Sequence, residues 1–161
     1  MTMTTDATGT DTLARGLPQS AAVLAYAGAL PLIVAALLIG VKPETHGPEA
    51  AAFMAVYGAA LIVFFGGVRW GVAVMRRQGP DFRSLFGAII PFLAALPTLY
   101  PGDIRLKFAF ILAALPLLLL DDLKATRRGS GAPDWYLGVR VPLTILIEAS
   151  FLFAFAALLI R

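Results

Sequence analysis

The chain has 161 residues, of which 59% are hydrophobic and 14% charged, against about 45–50% apolar and about 25% charged in a soluble domain. No soluble core of this size absorbs that surplus, so lipid is the solvent, and the length suits one domain. The net charge of +3 is spread between apolar runs and forms no basic face, which argues against nucleic acid; the lack of cysteine excludes disulfides, thiolate metal sites and cysteine nucleophiles, and the lack of asparagine excludes N-glycosylation.

Residues 1–16 are threonine-rich, with Asp6, Asp11 and a single Arg15. They have neither the basic start and apolar core of a secretory signal nor the arginine content of a transit peptide, and so predict a short disordered tail. The remainder, residues 17–161, reads as one transmembrane domain. Its first apolar run, 18–41, is long enough to cross a ~30 Å hydrocarbon core. Pro31 predicts a mid-span kink, tolerated where a neighbouring helix meets the freed carbonyl. Ala21, Ala25 and Ala29 make a smooth face for helix contact.

Residues 42–47 read as a polar turn, with His46 as a solvated loop residue. Pro48 and Glu49 then suit a helix start. The second run, 50–75, is the longest and predicts a tilted helix. A third run covers 84–100, with Pro91 and Pro97 inside it. The fourth, 104–120, reaches spanning length only by counting Arg105 and Lys107 as snorkelling ends. Both are short, so a re-entrant hairpin is an alternative to two full crossings. Residues 121–140 read as the longest polar loop, with Asp121 and Asp122 at the end of a span beside Lys124, either among lipid headgroups or paired locally. The fifth run is 139–160.

An all-α bundle of five transmembrane helices follows, with its termini on opposite sides of the membrane. With the N-terminus cytoplasmic, the inner side holds Arg15, Arg76, Arg77, Arg83, Lys124, Arg127, Arg128 and Arg140. The other side holds Lys42, Arg105, Lys107 and Arg161. The positive-inside rule therefore predicts N-terminus in and C-terminus periplasmic.

Arg69 is the residue most in need of explanation. It lies seven residues before Arg76, or ~10 Å inside the span; a centrally placed arginine costs at least ~2.5–3.5 kcal/mol, so a partner is expected, with snorkelling to the cytoplasm working against the direction of its Cα–Cβ bond. Glu148 is the only acid deep in any run and lies ~12 Å beyond Arg140. The expected arrangement is an intramembrane Arg69–Glu148 ion pair, either fixing which helices meet or carrying a proton step. Gly66, Gly67 and Gly71, with Trp70, predict a packing or partner face, since missing side chains let another helix approach. Trp135, Tyr136 and Arg140 read as an interfacial anchor. No nucleophile elbow, phosphate loop or metal-ligand set is recognisable, and catalytic residues, metal and cofactors are not expected.

Tyr57-Gly58, Phe65-Gly66-Gly67-Val68-Arg69-Trp70-Gly71, Pro133-Asp134-Trp135-Tyr136, Arg140 and Pro142-Leu143-Thr144 together resemble a family of transmembrane protein 69-like small multi-pass proteins, the domain-of-unknown-function family numbered 3429. The likeness covers about residues 17–159. It implies a bacterial inner membrane, about five helices and a mitochondrial relative, and no assigned activity. It also marks Arg69, Trp70, Trp135, Tyr136 and Arg140 as matched positions.

The expected function is that of a non-enzymatic accessory or assembly subunit of a respiratory or photosynthetic inner-membrane complex. Membrane lipids and other transmembrane subunits, or further copies of the chain, are the expected partners. Two alternatives stand beside it: a small transporter or channel using Glu148 and Arg69, and a protein that binds anionic lipid through Arg69 and the basic loops.

Overall fold

The computed structural model describes residues 18–76 and 79–160. The expected tail over 1–16, with Arg15, lies outside the described residues, as do Arg77 and Arg161 from the charge count. Among the described residues there are five helices and no strand: α1 Gln19–Val41, α2 Pro43–Val74, α3 Phe82–Leu99, α4 Ile104–Arg127 and α5 Tyr136–Leu159.

The order and number of the apolar runs hold, and two boundaries move. The expected polar turn after the first run shrinks to Lys42 alone, which ends α1 and starts α2. Pro43 occupies the first position of α2, where a missing N–H breaks no bond, and Glu44 sits in the first turn. His46 is thus a helical residue, although exposed. The second change is larger. Helix α4 does not stop with its apolar run at Leu120 but continues to Arg127, with Lys124 and Arg127 in its last turn, where cations favour the helix dipole. Nothing between Leu120 and Gly129 breaks a helix, and Gly129 supplies the positive φ of 76° that ends it.

Helix α2 packs against α1, α3 and α4, while α5 packs against α1 and α4. The order α1–α2–α4–α5 therefore closes into a ring of four, and α3 rests on the outside of α2. The core inside the ring is built from Leu32 and Ile39 of α1, Met54, Ile62 and Phe65 of α2, Phe108, Ile111 and Leu115 of α4, and Ile147 and Phe151 of α5. Phe108 and Phe151 meet edge to face with centroids 5.1 Å apart. Small residues allow close spacing, as expected for helices packed in lipid: Ala29, Ala35 and Ala36 of α1 and Ala51, Ala55 and Ala59 of α2 are all buried in the core, and α1 and α2 pack on each other. Helix α1 runs unbroken through Pro31, and the Tyr57 hydroxyl of α2 donates to the Gly28 carbonyl at 2.7 Å, one residue past the carbonyl that Pro31 leaves without its N–H.

Four of the helices, α1, α2, α3 and α5, are long and apolar enough to cross a membrane. Helix α4 has the length, at 24 residues, but charged residues bracket its apolar middle. Neighbours compensate both ends. Arg105 donates from Nη2 to the Leu158 carbonyl at the end of α5, at 2.9 Å, and Asp121 and Asp122 are met as described next.

Candidate functional site

Polar side chains collect at one end of the bundle, where α2 and α4 finish and α5 begins. Three consecutive facts of sequence put them there. Arg69 lies between Gly66–Gly67 and Gly71 on α2, one residue past Val68. Asp122 falls on the inner face of the extended α4 and is 5% exposed, whereas its neighbour Asp121 points out at 67%. Arg140 lies in the second turn of α5 and is 2% exposed, the largest fully buried side chain among the described residues.

Every nitrogen of the Arg69 guanidinium is engaged. Nε donates to Asp122 Oδ1 at 2.7 Å, Nη2 donates to the Leu118 carbonyl at 2.7 Å, and Nη1 lies 2.9 Å from Asp121 Oδ2. Arg140 approaches Asp122 from the other side, Nε to Oδ2 at 3.1 Å. Its Nη1 donates to the Thr144 hydroxyl, which in turn donates to the Arg140 carbonyl one turn back at 2.8 Å. The face of Phe65 lies 3.3 Å from the Arg140 guanidinium carbon, a cation held against an aromatic quadrupole. The Tyr136 hydroxyl donates to Asp122 Oδ2 at the longer distance of 3.4 Å. Asp122 thus accepts from α2 and from α5 while belonging to α4. Two arginines and two aspartates cancel in charge, which is how ionised groups persist inside a span.

The expected Arg69–Glu148 pair does not form. Arg69 is taken by Asp121 and Asp122, and Glu148 keeps a buried Oε1 without a hydrogen-bond partner among the described residues. The mistake lay in ending α4 with its apolar run, which left Glu148 as the only acid at depth. One more turn of helix brings a nearer carboxylate to Arg69. Arg140 is corrected in the same way. It is no interfacial anchor but the most buried charge of the bundle, and Tyr136 turns inward to Asp122. Trp135 alone stays at the helix start, half-buried. The readable signal for Asp122 was the run from Asp121 to Arg127, free of glycine and proline and basic at its end.

The glycines divide. Gly66 is the one used inside the chain: a Cβ there would stand 3.0 Å from the Ala88 carbonyl oxygen and 3.1 Å from Pro91, both on α3. Gly67 and Gly71 have open space at that position, and Trp70 beside them is 41% exposed. The expected glycine face is therefore two faces, one holding α3 and one turned outward.

A cleft of about 530 Å³ opens next to the charge network. Its floor is α2 at Val68, Arg69 and Val72. One wall is the first half of α3 from Arg83 to Ile90, and the other is α4 at Asp121, Asp122 and Ala125 with Arg128 and Ser130 beyond it. It exists because α3 packs on α2 without closing against α4. Among the described residues no group of three or more His, Asp or Glu side chains is placed to hold a metal ion.

Comparison with known proteins places this architecture. The chain is similar to Transmembrane protein 69 of Xenopus tropicalis, 32% identical over 132 residues, covering 80% of this chain and 51% of that protein. It is also similar to Transmembrane protein 69 of Mus musculus, 26% identical over 138 residues, covering 83% of this chain and 54% of that protein. The chain spans about half the length of these curated relatives. No solved structure matches it. The family described as "Protein of unknown function (DUF3429)" matches residues 17–156, nearly the whole helical bundle, and this chain is a membrane protein that belongs to that family.

Proposed function

We propose that this protein is a non-enzymatic accessory or assembly subunit of a larger complex of the bacterial inner membrane, respiratory or photosynthetic, with its N-terminus in the cytoplasm. The observation that carries this reading is the outward glycine face. Gly67 and Gly71 are spaced one helical turn apart on α2, leave open space where a Cβ would stand, and are flanked by an exposed Trp70. A surface without side chains, beside an exposed aromatic anchor, suits a helix from another subunit or another copy. The orientation rests on the distribution of basic residues. Arg76, Arg83, Lys124, Arg127 and Arg128 gather at the end of the bundle that holds the charge network, against Lys42, Arg105 and Lys107 at the other end.

The test is native size. A tagged chain is extracted gently from its source membrane, sized, and the peak identified by mass spectrometry. Co-migration with a defined complex, lost on Gly67→Leu, supports the subunit. Migration as the lone chain, unchanged by Gly67→Leu, overturns it.

One observation favours a second reading, a small transporter or channel. The buried, unpartnered Oε1 of Glu148 lies on α5 one turn beyond Thr144, and an intramembrane acid without a partner is the usual mark of a proton path. Proton-coupled flux in liposomes that disappears on Glu148→Gln would move the function there.

A further inference from the structure

The cleft between α3 and α4 has a division that the charge network does not use. Four arginines line it, Arg69, Arg76, Arg83 and Arg128, against two aspartates, Asp121 and Asp122. Both aspartates are already committed to Arg69, and Asp122 also to Arg140. Arg76 has Asp81 at 3.2 Å. For Arg83 and Arg128 no carboxylate stands within ion-pair distance among the described residues, and both are exposed. The cleft therefore carries two uncompensated guanidinium groups, one on each wall. Deeper along α3 and α2 the lining changes to Phe86, Ile90, Val68 and Val72. Its charged part lies at the bundle end and its apolar part runs into the span.

We propose that this cleft seats one anionic phospholipid, its phosphate between Arg83 and Arg128 and its acyl chains against Phe86 and Ile90. A guanidinium matches a phosphate through paired, charge-assisted N–H donors, and two of them on facing walls define a position, whereas a diffuse basic surface only attracts. The apolar half explains why the ligand carries chains. A soluble phosphate compound would fill the charged half and leave Phe86 and Ile90 to water. The volume holds a headgroup and the upper part of the chains, and the rest of the lipid remains in the bilayer.

The proposal is independent of the subunit reading, because Gly67 and Gly71 share a stretch of α2 with the cleft residues Val68, Arg69 and Val72 but do not themselves line the cleft. It is tested on the full chain, purified in a zwitterionic detergent and offered phosphatidylglycerol or phosphatidylcholine, with bound lipid counted by native mass spectrometry. Retention of a single phosphatidylglycerol in preference to phosphatidylcholine is expected. Replacing both groups, Arg83→Gln with Arg128→Gln, should lower that retention by roughly tenfold or more, the order expected when charge-assisted hydrogen bonds are removed. Lys42→Gln with Lys107→Gln removes the same charge at the opposite end and should leave retention unchanged. Gly87→Leu is a charge-neutral second variant. Gly87 lines the cleft and a Cβ there meets no atom, so the leucine should displace the lipid without disturbing the fold. Equal losses in the two charge variants, or full retention in Gly87→Leu, would overturn the site. Displacement of the lipid by millimolar glycerol phosphate would overturn the lipid in favour of a soluble phosphate compound.

Discussion

Asp122 decides the polar end of this protein. It is a single carboxylate, 5% exposed, that accepts from two arginines on two other helices. Removing one member of a buried ionic group leaves the others charged and unpaired, at about 3–5 kcal/mol. Asp122→Asn is therefore expected to lower the unfolding midpoint sharply in a detergent melt, while Asp121→Asn, at an exposed position, should cost under about 1 kcal/mol. Equal effects would mean that the shared contact carries no special weight. Much of this was legible in part. The need of Arg69 for a partner follows from depth alone, but the partner's identity turns on whether α4 ends at Leu120 or Arg127, and hydropathy marks where apolar residues stop, not where hydrogen-bonded backbone stops. A pH effect belongs to this scale too. Asp81 caps α3 and its carboxyl is held below the usual range by the Ser84 hydroxyl first, with the Ser84 N–H and Arg76 adding to it. A depressed carboxylate stabilises the fold at pH above its unfolded value, near 3.8, and the contribution fades as pH falls through the lower folded value. The Ser84 amide should accordingly lose protection, measured against its intrinsic exchange rate at each pH, as the pH falls below about 4, and Asp81→Asn should abolish that dependence.

At the scale of helices, glycine position separates contacts that look alike in sequence. Gly58 faces Ile111 and Phe151, and a Cβ there would stand 2.8 Å from both. Each of those side chains is fully buried and has nowhere to go, so Gly58→Ala should destabilise by about 1–3 kcal/mol, the usual range for overpacking. Gly66→Ala meets the backbone of α3 and should loosen that helix in particular, seen as faster proteolysis or labelling within α3. Gly67→Ala should leave the melting curve of the purified chain where it is. The three residues fall within ten positions of one apolar run, and composition cannot rank them. What ranks them is the azimuth at which α1, α3, α4 and α5 approach α2, a property of the assembled bundle.

The molecule as a whole is a closed ring of four helices with a fifth attached to one member. The five apolar runs were readable because lipid demands long uninterrupted stretches, and length alone put α2 first among them. The ring was not readable, since similar runs can be arranged in several circular orders. The chain lacks cysteine, so a single introduced thiol reports cleanly on its surroundings. Gly67→Cys should react readily with a small apolar thiol reagent in the purified protein and be protected in the native membrane if another helix lies on that face. Equal reactivity in both settings would leave the face to lipid.

The contact between Arg69 and Asp122 joins residues 53 positions apart, and that separation is also a delay. Chains are made at about 5–20 residues per second, so Arg69 leaves the ribosome roughly 3–10 seconds before its counter-ion exists. During that interval α2 is an apolar helix with an unpaired guanidinium near its end, at a depth where an intramembrane charge ordinarily has a partner. Insertion of α2 is therefore provisional until α4 arrives, and the arginine that fixes the finished bundle makes its own helix the one that must wait.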